Sequence, residues 1–251
     1  MHKLSIVLIT HNEESRIKKT LEAAKWCDEL IIVDSGSTDN TLEICKQFSN
    51  CKIYHHPFSG YGEQKKKAVD LSSNKWVLSI DSDEIISSEL KNEIETILKK
   101  ATIPQTHFYI PITLVFLGKI FSYGRMNKRN HLRFFNKEFG NFNANKVHEG
   151  LNITGDSSKL KGELLHYSYK NAHHYFEKFN SYTSTGAEVM MKKKRSVNKV
   201  LTMILFPFNF FKFYIIDLNF MNGYEGYVWS IFSAFYKIVK YVKYDELLTN
   251  K

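Results

Sequence analysis

The chain has 251 residues, enough for one enlarged domain or for one domain with an appendage. A charged fraction of 24% and a hydrophobic fraction of 43% exclude disorder as the default state. Two totals are unusual: the aromatic share is 14%, and the net charge is +9, which indicates an anionic partner. Nucleic acid, an acidic substrate and the cytoplasmic face of a membrane remain as alternatives at this point.

The three cysteines, Cys27, Cys45 and Cys51, have no CxxC spacing. This argues against a disulfide framework and against a structural zinc site, and it favours buried thiols in a reducing compartment. The first residues run into a strand pattern without a basic and then apolar leader, so we expect no signal peptide and a cytoplasmic protein.

Strand and helix patterns alternate over the first hundred residues. Apolar runs at 4–9, 30–33, 51–54 and 76–80 predict strands, and helical spacing of apolar residues predicts the segments between them. This alternation predicts an α/β fold with a mostly parallel central sheet flanked by helices. Ser37 or Thr38 is expected to cap the second helix, and Ser87 or Ser88 the helix after the fourth strand.

Polar clusters follow three of these predicted strands, at residues 10–14, 34–39 and 81–83. Ligands of parallel sheets gather at the carboxyl ends of the strands, so we expect these clusters to share one site.

The pattern changes twice further along, which predicts three regions: 1–105, 106–170 and 171–251. The middle region has an apolar run at 108–117 and short strand patterns near 132–135 and 164–167. The last region is helical. Its apolar stretch 200–216 contains Lys212 and Pro207 and falls short of a membrane span. Residues 228–244 place lysines among aromatic residues, which is typical of a helix lying in the membrane interface.

The triplet Asp81-Ser82-Asp83 carries the clearest chemistry. In an extended Asp-x-Asp segment both carboxylates point the same way, where they repel each other unless a cation lies between them. Oxygen ligands of this kind suit Mg²⁺ or Mn²⁺, with water and phosphate oxygens completing the shell. The competing interpretation is a solvated turn with a helix-capping acid.

Four segments together resemble the family 2 glycosyltransferases of the GT-A fold, a Rossmann-like fold: IVLITHNEE, IVDSGSTDNT, GYGEQKKKA and WVLSIDSDE, which begin at residues 6, 32, 60 and 76. The later Val147-His148-Glu149, the segment from Leu165 to Tyr169 and the aromatic C-terminus resemble a subgroup. That subgroup comprises the lipopolysaccharide inner-core β-1,4-glucosyltransferases, which add glucose to heptose.

The resemblance implies donor-binding roles for six residues. Thr10 and Glu13 would contact the nucleoside, Asp34 would accept the uracil imide N–H, and Asp81 would face the ribose. Lys65 or Lys66 would approach the diphosphate. On local grounds Asp34 is also a turn-initiating residue, and the lysines also fit a solvated helix face.

The resemblance also implies a metal site and a catalytic base. Asp83 would ligate the metal, and His166 would bind the metal or the diphosphate, although a structural role fits this histidine as well. Glu149 would be the general base that an inverting transfer needs, with a surface loop acid as the alternative.

The implied function is inverting transfer of a hexose, with glucose favoured, from a UDP-sugar to a lipid-linked saccharide. The heptose of the lipopolysaccharide inner core is the favoured acceptor, and capsule, O-antigen or other surface glycans are alternatives. The enzyme would be cytoplasmic and peripherally associated with the inner membrane.

Three rival functions carry less support. A sugar nucleotidyltransferase would have a Gly-rich basic loop where this chain has the acidic 10–14 segment. A nucleic-acid-binding protein is disfavoured because the basic residues lie beside apolar helices, so we expect no nucleic-acid partner. Intact Asp81 and Asp83 argue against a family member that has lost catalysis.

Overall fold

The computed structural model describes residues 1–143, 150–194 and 199–249. The strands are β1 (Leu4–Thr10), β2 (Glu29–Asp34), β3 (Cys51–His55), β4 (Trp76–Asp81), β5 (Glu84–Ile86), β6 (His107–Phe116), β7 (Lys119–Ile120), β8 (Arg129–Asn136), β9 (Gly140–Phe142), β10 (Leu151–Ile153), β11 (Ser157–Lys159) and β12 (Leu164–His166). The helices are α1 (Ile17–Ala24), α2 (Thr41–Cys45), α3 (Tyr61–Leu71), α4 (Ser88–Leu98), α5 (Ala172–Lys192), α6 (Lys199–Phe211) and α7 (Gly223–Thr249). A π-helical turn (Lys212–Ile216) and a 3₁₀ turn (Asn219–Asn222) lie between α6 and α7.

The predicted α/β fold is confirmed. Strands β3, β2, β1 and β4 lie side by side in that order, and all three pairings are parallel. Both faces of β1 are buried: Ile6 and Leu8 pack in the cluster that contains Leu21 and Ile94, and Val7 packs in the cluster on the other face. Coverage on both faces explains why this strand has an almost continuous apolar sequence.

The rest of the sheet is largely antiparallel, so the sheet as a whole is mixed and the predicted parallel order holds for its first four strands. Strand β8 runs antiparallel to β4 and to β6, and β12 runs antiparallel to β5. The apolar run 108–117 becomes β6, whose pairing with β8 shifts register between Phe108 and Tyr109. Antiparallel pairing needs no helical crossover, and the alternation of strand and helix therefore stops after α4.

The chain divides into two compact units. One contains residues 1–113 and 128–166, and the other contains residues 114–127 and 167–251. The predicted boundary at 105/106 falls inside the first unit because β6 and β8 continue the sheet from β4. The predicted boundary at 170/171 lies close to the change of unit after His166.

One predicted helix cap is confirmed and the other is wrong. Ser87 caps α4, and its hydroxyl accepts a hydrogen bond from the Leu90 amide at 3.2 Å. The second helix begins later than expected, at Thr41, with Asn40 preceding it. The Ser37 hydroxyl instead donates a hydrogen bond to the Asp34 carboxylate within the turn that precedes the helix.

In the second unit three aromatic residues of α7 face inward. Trp229, Phe232 and Tyr236 pack against a buried cluster that includes Tyr175 and Phe179. Among the described residues no single helix is long and apolar enough to cross a membrane. Ile204–Ile216 and Asn219–Thr249 together pass that test by length and composition, with a bend of 68° between them.

Glu29 joins four segments at the amino-terminal edge of the parallel strands. Its carboxylate accepts hydrogen bonds from Ser5 of β1 at 2.6 Å, from Lys52 of β3 at 2.7 Å and from the Ser73 amide and hydroxyl at 2.8 Å. Burial raises the pKa of Glu29, but these donors outweigh burial and lower the pKa to about 2.

Replacing this carboxylate should weaken the fold in a pH-dependent way. Because folding depresses the pKa of Glu29, its stabilising contribution is present above the unfolded value of about 4.5 and is lost as the pH falls toward about 2. We expect Glu29→Gln to lower the free energy of unfolding by about 2 kcal/mol at neutral pH, in urea denaturation.

The difference from the wild type should shrink steadily in acid. Glu22→Gln is the matched control, since Glu22 forms an exposed pair with Lys25 and should change stability by less than about 0.5 kcal/mol. Equal losses in the two variants, or a loss that does not vary with pH, would contradict the role assigned to Glu29.

Candidate functional site

The acidic triplet lies in the tight turn between β4 and β5. The Thr20 hydroxyl of α1 donates a hydrogen bond to the Ser82 carbonyl at 2.8 Å. The Asp81 amide donates to the Glu84 carboxylate at 2.9 Å. Helix α1 and the side chain of Glu84 therefore hold the backbone of the turn.

Asp81 is held by two cations. Its Oδ1 atom lies 3.0 Å from Lys65 Nζ, and its Oδ2 atom lies 2.8 Å from Arg133 Nη2. Burial alone would raise the pKa of Asp81, but the charges of Arg133 and Lys65 outweigh burial and hold the pKa well below its usual range. Asp81 is thus ionised, and each of its oxygens is engaged by one cation.

Asp83 has different partners. Its Oδ1 atom lies 3.3 Å from His166 Nε2, and its Oδ2 atom lies 3.5 Å from Arg16 Nη1. Arg16 is held in turn by Glu13, whose two oxygens accept bonds at 2.6 Å and 2.8 Å. Burial raises the pKa of Asp83 and lowers that of His166, but their mutual interaction prevails, so the pKa of Asp83 is lowered and that of His166 is raised. Glu13, predicted to contact the nucleoside, therefore orients Arg16 in this structure.

Three residues of this network, Arg16, Glu84 and Arg133, were not among the predicted site residues. Arg133 on β8 is buried and donates to Glu84 Oε1 at 2.9 Å as well as to Asp81. The pKa of Glu84 is raised above its usual value, and burial is the largest cause. The available signal for Arg133 was a charged residue inside the apolar run 132–135, because a buried arginine requires an acidic partner.

The structure separates the two candidate lysines of α3. Lys65 is buried beside Asp81, and its ammonium also lies 6.0 Å from the centre of the Phe142 ring. Lys66 is on the solvent side of the helix, where it pairs with Asp70 at 2.7 Å. Consecutive helical residues are about 100° apart, which puts only Lys65 on the face toward the acidic turn.

Asp34, predicted to contact the uracil, and Thr10, predicted to contact the nucleoside, are both buried. Asp34 accepts hydrogen bonds from the Gly36 amide at 2.8 Å and the Ser37 amide at 3.0 Å, as a turn-initiating aspartate does. Thr10 pairs with Asp34 in the β1–β2 register, and its hydroxyl has no hydrogen-bond partner within the described ranges. Nucleoside contacts by Thr10, Glu13 and Asp34 stay predictions.

The predicted base, Glu149, lies outside the described residues, as do Val147 and His148. Its role stays a prediction. The described chain resumes at Gly150, whose amide donates to the Asn143 side chain at 3.3 Å.

Asp83 and His166 fit part of a divalent metal site. The closest carboxylate oxygen of Asp83 and imidazole nitrogen of His166 are 3.3 Å apart. Carboxylates and imidazoles are both ligands of divalent metal ions in proteins. No group of three His, Cys, Asp or Glu side chains able to hold an ion occurs in the part of the chain that the structure describes. Water and phosphate oxygens would therefore have to supply the remaining positions, as is usual for Mg²⁺.

Comparisons with known proteins identify the family of the chain. Residues 5–159 match the model of Glycosyl transferase family 2. An uncharacterized glycosyltransferase of Rickettsia typhi is 33% identical over 224 residues, covering 83% of this chain and 75% of the relative. The lipopolysaccharide core biosynthesis glycosyltransferase LpsC of Rhizobium meliloti is 26% identical over 226 residues, covering 88% of this chain and 82% of LpsC. The chain belongs to glycosyl transferase family 2.

Solved structures are similar at a lower level. S. aureus TarS 1-349 aligns over 99% of this chain and 92% of its own, with 14% identity and a TM-score of 0.49. Glucosyl-3-phosphoglycerate synthase from Mycobacterium tuberculosis, solved with Mn²⁺, UDP and glucosyl-3-phosphoglycerate, aligns over 45% of this chain and 44% of its own. It has 25% identity and a TM-score of 0.37.

Removing Arg133 should destabilise the first unit, because Asp81 and Glu84 would lose the guanidinium between them. We expect Arg133→Met to lower the free energy of unfolding by roughly 3 kcal/mol, measured by urea denaturation. Adding Glu84→Gln to that variant should restore part of the loss, because one buried charge is then removed.

Arg129→Met is the matched control, since Arg129 is an exposed arginine on the same strand. An equal loss in Arg129→Met, or no recovery in the double variant, would contradict the role assigned to Arg133.

Proposed function

We propose that the chain transfers a hexose, with glucose favoured, from a UDP-sugar to a lipid-linked saccharide with inversion at the anomeric carbon. The observation that carries this proposal is the pair of Asp83 and His166 beside Asp81 and Lys65, at the carboxyl end of β4, in a member of glycosyl transferase family 2. A diphosphate is the group that such a set of cations and metal ligands suits.

Asp83 and His166 would hold the divalent cation, Mg²⁺ or Mn²⁺. When bound, the ion would offset the negative charge that develops on the departing diphosphate. Lys65 is the lysine proposed to approach the diphosphate, since Lys66 points to solvent and already pairs with Asp70. Asp81, engaged by Lys65 and Arg133, would keep the lysine oriented and face the ribose.

Glu149 is the proposed general base. It would take the proton of the acceptor hydroxyl, whose oxygen attacks the anomeric carbon from the side opposite UDP. The bond between the anomeric carbon and the phosphate oxygen breaks, and its electron pair leaves with UDP. The sugar configuration inverts because attack and departure occur on opposite faces.

The acceptor class rests on the relative LpsC, whose name assigns it to lipopolysaccharide core biosynthesis. We propose a lipid-linked saccharide at the cytoplasmic face of the inner membrane, with inner-core heptose favoured. Exposed apolar side chains support membrane association: Phe208 is 65% exposed, Phe211 55% and Ile216 61%. Apolar residues of this size, exposed together near Lys212, suit the membrane interface.

The donor and metal roles can be tested together by thermal denaturation. UDP-glucose with Mn²⁺ should stabilise the wild type, by about 2.7 kcal/mol at a hundredfold excess over Kd. Asp83→Asn should lose the part of the shift that depends on Mn²⁺ and should lose glucosyl transfer.

Asp156→Asn is the matched control, because Asp156 is exposed and distant in sequence from the acidic turn. Full metal-dependent stabilisation in Asp83→Asn would remove the metal role from this residue. Absence of any shift with UDP-sugars in the wild type would overturn the donor assignment.

The base is tested by Glu149→Gln. This variant should bind the donor as the wild type does and should lose turnover by about a hundredfold or more, because the amide cannot accept the hydroxyl proton. Glu138→Gln, at an exposed glutamate that pairs with Lys75, should leave both unchanged. Normal turnover in Glu149→Gln would place the base elsewhere.

A further inference from the structure

The second unit contains a cavity of about 340 Å³ that is separate from the network around Asp81. Its walls are mainly aromatic and include Tyr169, Tyr175, Trp229 and Tyr236. The Tyr169 and Tyr175 rings are 4.7 Å apart, and the Tyr175 and Trp229 rings are 6.3 Å apart. Side chains of this kind offer apolar faces together with hydroxyl and indole N–H donors, so the cavity suits an amphiphilic ligand.

One wall carries a positioned lysine. Lys237 lines the cavity, and its ammonium donates to the Asn209 side-chain oxygen at 2.6 Å. Asn209 is fully buried, and its amide nitrogen donates to the Leu205 carbonyl at 2.6 Å. Asn209 is a neutral amide that holds the lysine in place, and the ammonium also lies 5.8 Å from the centre of the Phe213 ring, so neither of these two groups supplies a negative charge.

The other charged groups of the cavity increase this positive charge. Arg125 and Lys240 also line the cavity. Asp217 is the acidic residue among the lining residues that the structure describes, and it pairs with Arg125 at 2.9 Å. Burial, followed by the charges of Lys212, Lys240 and Arg125, lowers the pKa of Lys237. An anion in the cavity would relieve this repulsion, so the electrostatics favour a negatively charged ligand.

The segment between α6 and α7 connects this cavity to the exposed apolar surface. Phe213 and Asp217 line the cavity, while Phe211, Ile216 and Leu218 next to them are exposed. A surface that dips into the membrane interface at these residues would bring lipid headgroups to the level of Lys237. This position favours a lipid over a soluble anion as the source of the negative charge.

We propose that this cavity binds the phosphate of an anionic membrane lipid, with Lys237 donating to a phosphate oxygen and the aromatic walls covering the adjoining apolar part. The inference rests on the membrane association in the proposed function and does not depend on the transfer reaction. Such a site would make membrane binding by the second unit depend on the charge of the lipid as well as on apolar contacts.

Binding can be followed by the fluorescence of Trp229, which lies in the cavity wall. The probes are dihexanoyl-phosphatidylglycerol, dihexanoyl-phosphatidylcholine and inorganic phosphate, each added to the full chain. We expect the phosphatidylglycerol to bind and the other two to bind at least about tenfold more weakly, since neither combines net negative charge with an apolar part. Trp229→Phe should abolish the signal, which assigns it to this cavity.

Two variants test the site itself. Lys237→Gln should weaken phosphatidylglycerol binding by about tenfold or more, because it removes one charged hydrogen-bond donor. Lys192→Gln removes the same charge from an exposed position on α5 outside the cavity, and it should leave binding unchanged. Ser233→Phe fills the cavity without changing its charge and should also abolish binding.

Vesicle flotation separates this site from general membrane affinity. Neutral phosphatidylcholine vesicles should recruit Lys237→Gln, Ser233→Phe and the wild type equally. Vesicles that contain phosphatidylglycerol should recruit the wild type and Lys192→Gln more strongly than the two cavity variants.

Equal losses of binding in Lys237→Gln and Lys192→Gln would show that the effect is one of bulk charge and would overturn the proposal. Tight binding of inorganic phosphate alone would overturn the lipid as its source. None of these measurements involves sugar transfer, so their failure is distinguishable from failure of the transferase assignment.

Discussion

The neutralisation of three carboxylates in one short turn is the constraint on which the rest of the first unit depends. The side chains of Asp81, Asp83 and Glu84 are largely buried. Three carboxylates buried so close together would destabilise the fold unless cations paired with them. The cations come from the residue before α1, from α3, from β8 and from β12, which are far apart in sequence. The fold therefore has to bring these elements together for the turn to exist in its charged form.

The same arrangement explains how the two aspartates of the triplet come to differ. Asp81 lies between Lys65 at 3.0 Å and Arg133 at 2.8 Å, and the guanidinium of Arg133 is charged at every physiological pH. Asp83 faces His166 at 3.3 Å, and the neutral form of an imidazole offers a nitrogen lone pair to a metal ion. One carboxylate is thus committed to structural pairing, and the other faces a group that can become a second metal ligand.

The second unit follows a different principle. Three of the aromatic residues of α7 that the sequence suggested for a membrane interface, Trp229, Phe232 and Tyr236, pack against the core that contains Tyr175 and Phe179. Exposed apolar residues occur on α6 and on the turns before α7, such as Phe208 and Ile216, and also on α7 itself, such as Phe235. Because a helix has two faces, a mixture of lysines and aromatic residues does not by itself specify which face meets solvent or lipid. Packing against β6 residues and α5 decides it here.

The sequence by itself determined the parallel strands β1 to β4, since their apolar runs are local patterns, and it placed the acidic triplet at a strand end. It also determined family membership, because four segments in the same order resemble the family. Only the tertiary structure decided which lysine of the run meets Asp81, because that depends on the rotation of α3 against the sheet. Likewise Arg16, Glu84 and Arg133 joined the site only in three dimensions. Their partners are set by a network of charges between segments up to 83 residues apart, from Asp83 to His166, and no local spacing encodes such pairings.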